Sequence, residues 1–455
     1  MSSFNEDLKQ NEAKLEERAS YVIDYAKKLG ADECSVGMAG YQGLSVSSRD
    51  AEVENVEFSK SSGLGITVYK DHKKGSASTT DLSTEALHNC VQSALAIASY
   101  SNPDEFAGIA EKELLCTEFK DLDLVSESKL TADDQVQFCI ELEQMALDKK
   151  AQGIKKTDGA DFNTGIYTGV FANSNGYCKA SSSTFSVSSL VLLGEDDSKK
   201  MYRGYSSSIG FGPDELFSKE RIVNEAIEKT QEKLNAHPVK TGVYNVIFHR
   251  NMVSSLWMAL FGAISGGNLF RRRSFLCDSL NTQILNDYVT IHEDPFLKHK
   301  IGSRNSDGEG VRVKPCDIVK DGVLKEYLLG CYSARKLGMK SNGHASGTAN
   351  IDISFGKDHT VGSFDELLKQ AGEGLVITSL MGQGLDIISG NFSYGATGYY
   401  FKNGVKVHAV NEITIAGNLK DMLKNLALVA EDLDDRPRMI NCGSVLIPNM
   451  TVSGT

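Results

Sequence analysis

The chain has 455 residues, 41 % apolar and 24 % charged, and its 60 acidic and 48 basic residues give a formal charge of −12. This length predicts two or three structural units, and the composition excludes a disordered chain. No run of about 18 apolar residues is present to span a bilayer, and the acidic balance argues against nonspecific binding to nucleic acid or anionic membrane.

The first segment, MSSFNEDLKQNEAKLEER, is charged and lacks the apolar stretch of a signal peptide, so a cytoplasmic location is expected. An amphipathic pattern then predicts a helix running up to Gly30, with Lys27 and Lys28 suited to its C-terminal dipole. From Glu33 to Thr80 short alternations of apolar and polar residues, broken by glycine and charged turns, predict several strands. A helix follows from Ser83, completing an α-β-β-β-α unit. Next come a helix over 131–150, antiparallel strands turning at Asn175-Gly176, and a helix that Pro238 stops.

Beyond that point strands dominate, with Asp321-Gly322 and Asn403-Gly404 as hairpin signals because a type I′ turn needs positive φ at both central residues. The fold class expected is α+β. An N-terminal α+β domain spans 1–236, and a C-terminal domain of mostly antiparallel strands spans 237–455.

Chemistry is sparse in sequence order. Nine cysteines occur without any CxxC, which predicts reduced and mostly buried thiols. The nearest two of the nine histidines, His292 and His299, have Pro295 between them and cannot form an i, i+4 ligand pair. No nucleophile elbow, Walker loop or dinucleotide fingerprint appears.

The stretch SSLWMALFGAISGGNLFRRRSFL (254–276) stands out. Val253, Leu256, Trp257, Leu260, Phe261 and Ile264 form one apolar helical face, while Ser255, Ala259 and Ala263 form a stripe of small residues. The run is expected to stop at Gly266-Gly267. Arg271, Arg272 and Arg273 could then hold a peptide carboxylate or an acidic loop, or form a solvated turn. Asp307 and Glu309 read either as an acid pair or as two surface carboxylates on a glycine-rich turn. Glu412, where a strand meets a short helix, is expected to pair with an arginine inside the protein.

Five stretches in a shared order, GLSVSSRDAEVENVEFSKSSGLGITVY, GSASTTDLSTEALHNCVQSALAIA, SFLCDSLNTQILNDYVTIHEDP, DGEGVRVKPCDIVKDGVLKEYLL and NEITIAGNLKDMLKNL, resemble the TldD/PmbA family, and its PmbA (TldE) branch more than its TldD branch. The resemblance implies that the TldD branch carries a zinc HExxxH helix just before a glycine-containing turn. Placing that turn on AISGG sets Trp257, Met258 and Gly262 at the positions of the first histidine, the glutamate and the second histidine. An indole has no ring-nitrogen lone pair, a thioether is a weak base and glycine offers nothing.

The resemblance therefore implies a subunit with no catalytic residue or metal of its own. Zinc would be held by a TldD-type paralogue in a heterodimer that degrades unfolded or extended peptides. Arg271, Arg272, Arg273, Asp307, Glu309 and Glu412 become candidates for the peptide cleft or subunit interface. The TldD branch takes its third ligand from a cysteine near its C-terminus; alignment of the final strand leaves Cys442 out of register with it, as a small half-buried side chain. The rival readings are a homo-oligomeric peptide-binding or chaperone-like protein, homodimeric when alone, and a self-sufficient hydrolase whose residues converge only in the fold.

Overall fold

The computed structural model describes residues 4–455. Its first part follows the order α1 (Phe4–Lys28), β1 (Glu33–Arg49), β2 (Glu52–Lys70), β3 (Lys73–Thr79), α2 (Thr84–Tyr100), α3 (Ala132–Asp148), β4 (Ile154–Asn173), β5 (Cys178–Glu195), β6 (Met201–Gly210) and α4 (Lys219–Gln231). The strands form one antiparallel sheet in the order β3-β2-β1-β4-β5-β6. Two apolar clusters support it. Val22 and Ala26 of α1 and Val91 and Ala94 of α2 pack on Val36, Ile66 and Val68. Leu142 of α3 and Ile222 and Ala226 of α4 pack on Phe162, Leu190 and Leu192.

Local chemistry explains the boundaries. Ser83 caps α2 by accepting the Ala86 N–H, and Thr131 and Asp134 form a reciprocal capping box on α3. Gly30 adopts φ +90° directly after α1, where a side chain would be strained.

The second part comprises β7 (Gly242–Phe248), α5 (Val253–Ala263), α6 (Gly266–Phe270), β8 (Val289–Asp294), β9 (Cys316–Lys320), β10 (Val323–Leu324), α7 (Cys331–Lys336), β11 (Asn350–Phe355), β12 (Thr360–Val361) and α8 (Phe364–Ala371). It continues with β13 (Glu373–Met381), β14 (Leu385–Asp386), β15 (Asn391–Lys402), β16 (Val405–Asn418), α9 (Leu419–Lys424), β17 (Leu428–Ala430), β18 (Ile440–Asn441) and β19 (Val445–Ser453). One sheet has the order β10-β9-β8-β11-β18; the other runs β12-β17-β19-β16-β15-β13-β7 and carries β14 beside β15. Both expected hairpin turns form with left-handed residues: Asp321 at φ 48° and Gly322 at 76°, Asn403 at 53° and Gly404 at 76°.

Helix α5 lies in the C-terminal core, with Leu256, Trp257, Leu260 and Ile264 fully buried. The apolar helix stops just before the two glycines, with Ile264 as its C-cap, and Gly266-Gly267 then opens the short α6 after a break at Ser265. A Cβ on Gly266 would fall 2.2 Å from Ser333 Oγ, so glycine is what lets this turn pack against α7.

The glycine-rich 381–400 segment is bulged sheet. A Cβ on Gly398 would lie 1.8 Å from the Val376 carbonyl, so the close approach it permits is to the adjacent strand β13. Polar contacts join the two parts, among them Arg221 with Asp435 at 2.6 Å, Tyr332 with Asp104 at 2.6 Å and Tyr177 with Ser306 at 2.6 Å.

Candidate functional site

Trp257, Met258 and Gly262, the residues that the family resemblance singles out, adopt three different environments. The Trp257 ring is fully buried, Met258 is 58 % exposed, and Gly262 lies where a Cβ would press on Ile387 at 3.1 Å. None of them offers the imidazole, thiolate or carboxylate donor that zinc takes. Cys442 joins the same apolar cluster as Trp257. Burial pushes its thiol up to about 12, opposed by the indole N–H of Trp257, which lies beside the sulfur too loosely for a hydrogen bond and has no other partner. The fold thus brings Cys442, from the turn between β18 and β19, beside Trp257, and the thiol is buried in the core rather than half-buried as expected.

The arginine run is a solvated turn. Arg271 stacks on Phe270 at 4.5 Å, Arg272 pairs with Asp278 at 2.6 Å, and all three side chains are exposed. Glu412 is also outside. Its carboxylate pairs with Lys200 of the first part at 2.7 Å and its side chain is 68 % exposed, so the expected pairing with an internal arginine does not occur. The reason is local: Glu412 has φ +54° beside the bulge at Ala396/Gly398, which turns it outward from its strand.

Asp307 and Glu309 likewise are not a surface pair. Asp307 is buried and accepts the backbone N–H groups of Glu309 (2.9 Å), Val311 (3.0 Å) and Ala345 (3.0 Å), while burial pushes its carboxyl upward. Glu309 accepts the Cys331 N–H at 2.6 Å, at the start of α7. Both carboxylates hold loops around a neighbouring cluster that sequence reasoning missed.

That cluster is built on the five-stranded sheet. Val289, Ile291 and Glu293 alternate on the buried face of β8, so a carboxylate occupies a core position. Glu293 stands directly opposite Cys316 on β9, and Asp307 braces the loop carrying His344. His344 Nε2 lies 2.6 Å from Glu293 Oε2, and the Cys316 sulfur lies 3.7 Å from the same oxygen. The other oxygen accepts the Ala349 N–H and faces Arg304 at 4.0 Å. Burial works against the Glu293 charge, but His344 outweighs it and holds the carboxyl below its usual range. Burial and the Glu293 charge push the Cys316 thiol up to about 12.

A charged residue in phase with Val289 and Ile291 was the available sequence signal. Elsewhere, a depression of about 550 Å³ is lined by residues including Tyr167, Ser182, Thr184, Phe185, Phe211 and Ile301, and contains none of the candidates.

Family models for PmbA/TldA metallopeptidases match as domain 1 over residues 34–98, the central domain over 126–234 and the C-terminal domain over 241–454. The metalloprotease PmbA of Escherichia coli O157:H7 is 43 % identical over 441 residues, covering 97 % of this chain and 96 % of that protein. The chain belongs to the PmbA/TldD metallopeptidase family. A PmbA homologue of Haemophilus influenzae is 39 % identical over 448 residues, 98 % of each chain. The fold is shared with the crystal structure of a proposed modulator of DNA gyrase from Bacteroides thetaiotaomicron, at TM-score 0.89 and 24 % identity over 96 % of this chain and 98 % of that one. Because β1 pairs with β4, the domain 1 and central segments share one continuous sheet. Among the described residues no helix is long and apolar enough to cross a membrane.

Proposed function

We propose that this chain is the PmbA-type subunit of a two-component cytoplasmic metallopeptidase, in which a TldD-type paralogue holds the zinc and this chain completes a cleft for unfolded or extended peptides. The observation that carries the reading is the buried Trp257 indole beside Cys442: the resemblance implies a zinc ligand at this position, and the ring found there has no lone pair to give. A water activated for hydrolysis needs a metal held by lone-pair donors and a base to take its proton. Neither Met258 nor Gly262 supplies a substitute.

The exposed arginine turn at 271–273 offers charge-assisted contacts to a peptide carboxylate or to an acidic partner surface. The test is to purify the chain alone, the paralogue alone and the two together, and to follow association and cleavage of an unfolded peptide. Cleavage only by the pair supports the reading. Cleavage by this chain alone, at a rate the paralogue does not raise, overturns it.

A further inference from the structure

The protonation of the Glu293–Cys316–His344 cluster can be worked out from its surroundings. The Asn342 side chain donates through Nδ2 to the Tyr327 carbonyl at 2.7 Å and to Glu326 at 3.0 Å. Its Oδ1 is thereby the acceptor; it takes the Leu329 N–H at 3.0 Å and faces His344 Nδ1 at 2.9 Å. Nδ1 therefore carries a hydrogen, and a neutral ring has its lone pair on Nε2. That lone pair faces Glu293 Oε2 at 2.6 Å.

Two acceptors this close repel unless a proton or a cation sits with them. A proton shared between Nε2 and the carboxyl oxygen would serve, and so would a metal cation that both atoms ligate. The position of the thiol favours the cation. Donor atoms of Glu293, Cys316 and His344 all lie within 4.8 Å of one another, so small side-chain movements bring them to the separations of about 3.3–3.6 Å that donors have around one tetrahedral zinc-class ion. Asn342 supplies what a metal-bound histidine requires on its far nitrogen, a carbonyl oxygen that fixes the tautomer. Arg304 faces the opposite carboxylate oxygen and has Asp307 as a second counter-charge.

We propose that Glu293, Cys316 and His344 form a binding site for a divalent transition-metal ion of the zinc class, separate from helix α5. Thiolate and imidazole donors select such an ion over magnesium or calcium. Three protein ligands leave one position of a tetrahedron open, and Cys316, partly exposed, marks the route of entry. The site draws on no residue of the subunit reading and stands whether or not a partner binds.

The experiment uses the full chain, stripped with a chelator and titrated with cobalt(II) and then zinc(II). One cobalt per chain is expected, with a thiolate-to-cobalt charge-transfer band that disappears in Cys316→Ser and persists in Cys442→Ser. Zinc should displace the cobalt and raise the thermal midpoint of the wild type but not of Cys316→Ser. Asn342→Ala, which removes the positioning residue, should weaken binding about ten- to a hundredfold.

If Glu293→Gln or His344→Ala fails to fold, Cys316→Ser alone decides, since its side chain is only partly buried. Absence of stoichiometric cobalt binding overturns the proposal, as does a charge-transfer band that survives Cys316→Ser. So does a nitrogen NMR signature of a doubly protonated His344 ring in the presence of excess zinc.

Discussion

Helix α5 and the β8–β9 corner are opposites. On α5 the three residues that the resemblance singles out lie within two turns of helix, and the fold makes them a buried Trp257, a solvent-facing Met258 and a glycine whose Cβ would meet Ile387. At the corner the donors are 23 and 51 residues apart, and the fold brings them together. Spacing along a sequence nominates residues for a site. Convergence of buried polar atoms says where a fold has to satisfy them now, because an unpaired buried charge is costly.

The largest expected effects come from breaking either region at its centre. His344→Ala leaves the buried Glu293 without its partner and should cost about 3–5 kcal/mol. Trp257→Ala opens a cavity in the C-terminal core and should cost about the same. Urea denaturation followed by circular dichroism measures both, and equal midpoints for wild type and His344→Ala would mean that the corner is not a coupled buried site.

A smaller effect separates the regions by pH. His249, at the turn into α5, is held down to about 4 by desolvation and by Arg250, with Lys229 and Arg438 adding to the effect and Asp434 opposing it. The unfolded chain takes up this proton near the ordinary value of 6.5 and the native one does not. Stability should therefore fall as pH drops from about 6.5 and level off near 4, by at most about 3 kcal/mol. His249→Gln should flatten that part of the curve, measured as the urea midpoint against pH.

Cys442→Ser is expected to change peptide cleavage by the assembled pair by less than about twofold, roughly 0.4 kcal/mol in barrier terms. Loss of cleavage with assembly intact would make α5 and Cys442 a working site after all. Least of all, Arg272→Ala and Glu412→Ala should leave the denaturation midpoint unchanged, since each removes one partner of an exposed pair. Any deficit they show should appear in association or cleavage.

Much of the fold was legible because its signals are local. The Asp321-Gly322 and Asn403-Gly404 turns declare their positive φ, Ser83 declares a cap, and the spacing of Leu256, Trp257, Leu260 and Ile264 declares a buried helix face. What failed depended on distant partners. Glu412 was misplaced because its partner, Lys200, lies 212 residues away across the junction of the two parts. Asp307 was misjudged because Ala345, one of the three donors it clamps, comes from another loop. Cys442 is buried rather than half-buried because Trp257 reaches it from a helix far away in the sequence.

The Trp257 ring has one more consequence. It is the only tryptophan in the sequence, sealed in the C-terminal core against a thiol, and sulfur in that position quenches indole emission. Opening of that core should brighten and red-shift the fluorescence, while residues 1–236 can unfold without changing it. A protein with this arrangement has an optical reporter for one half of its structure, and setting that signal beside a whole-chain probe will show whether the two halves melt as one unit or in sequence.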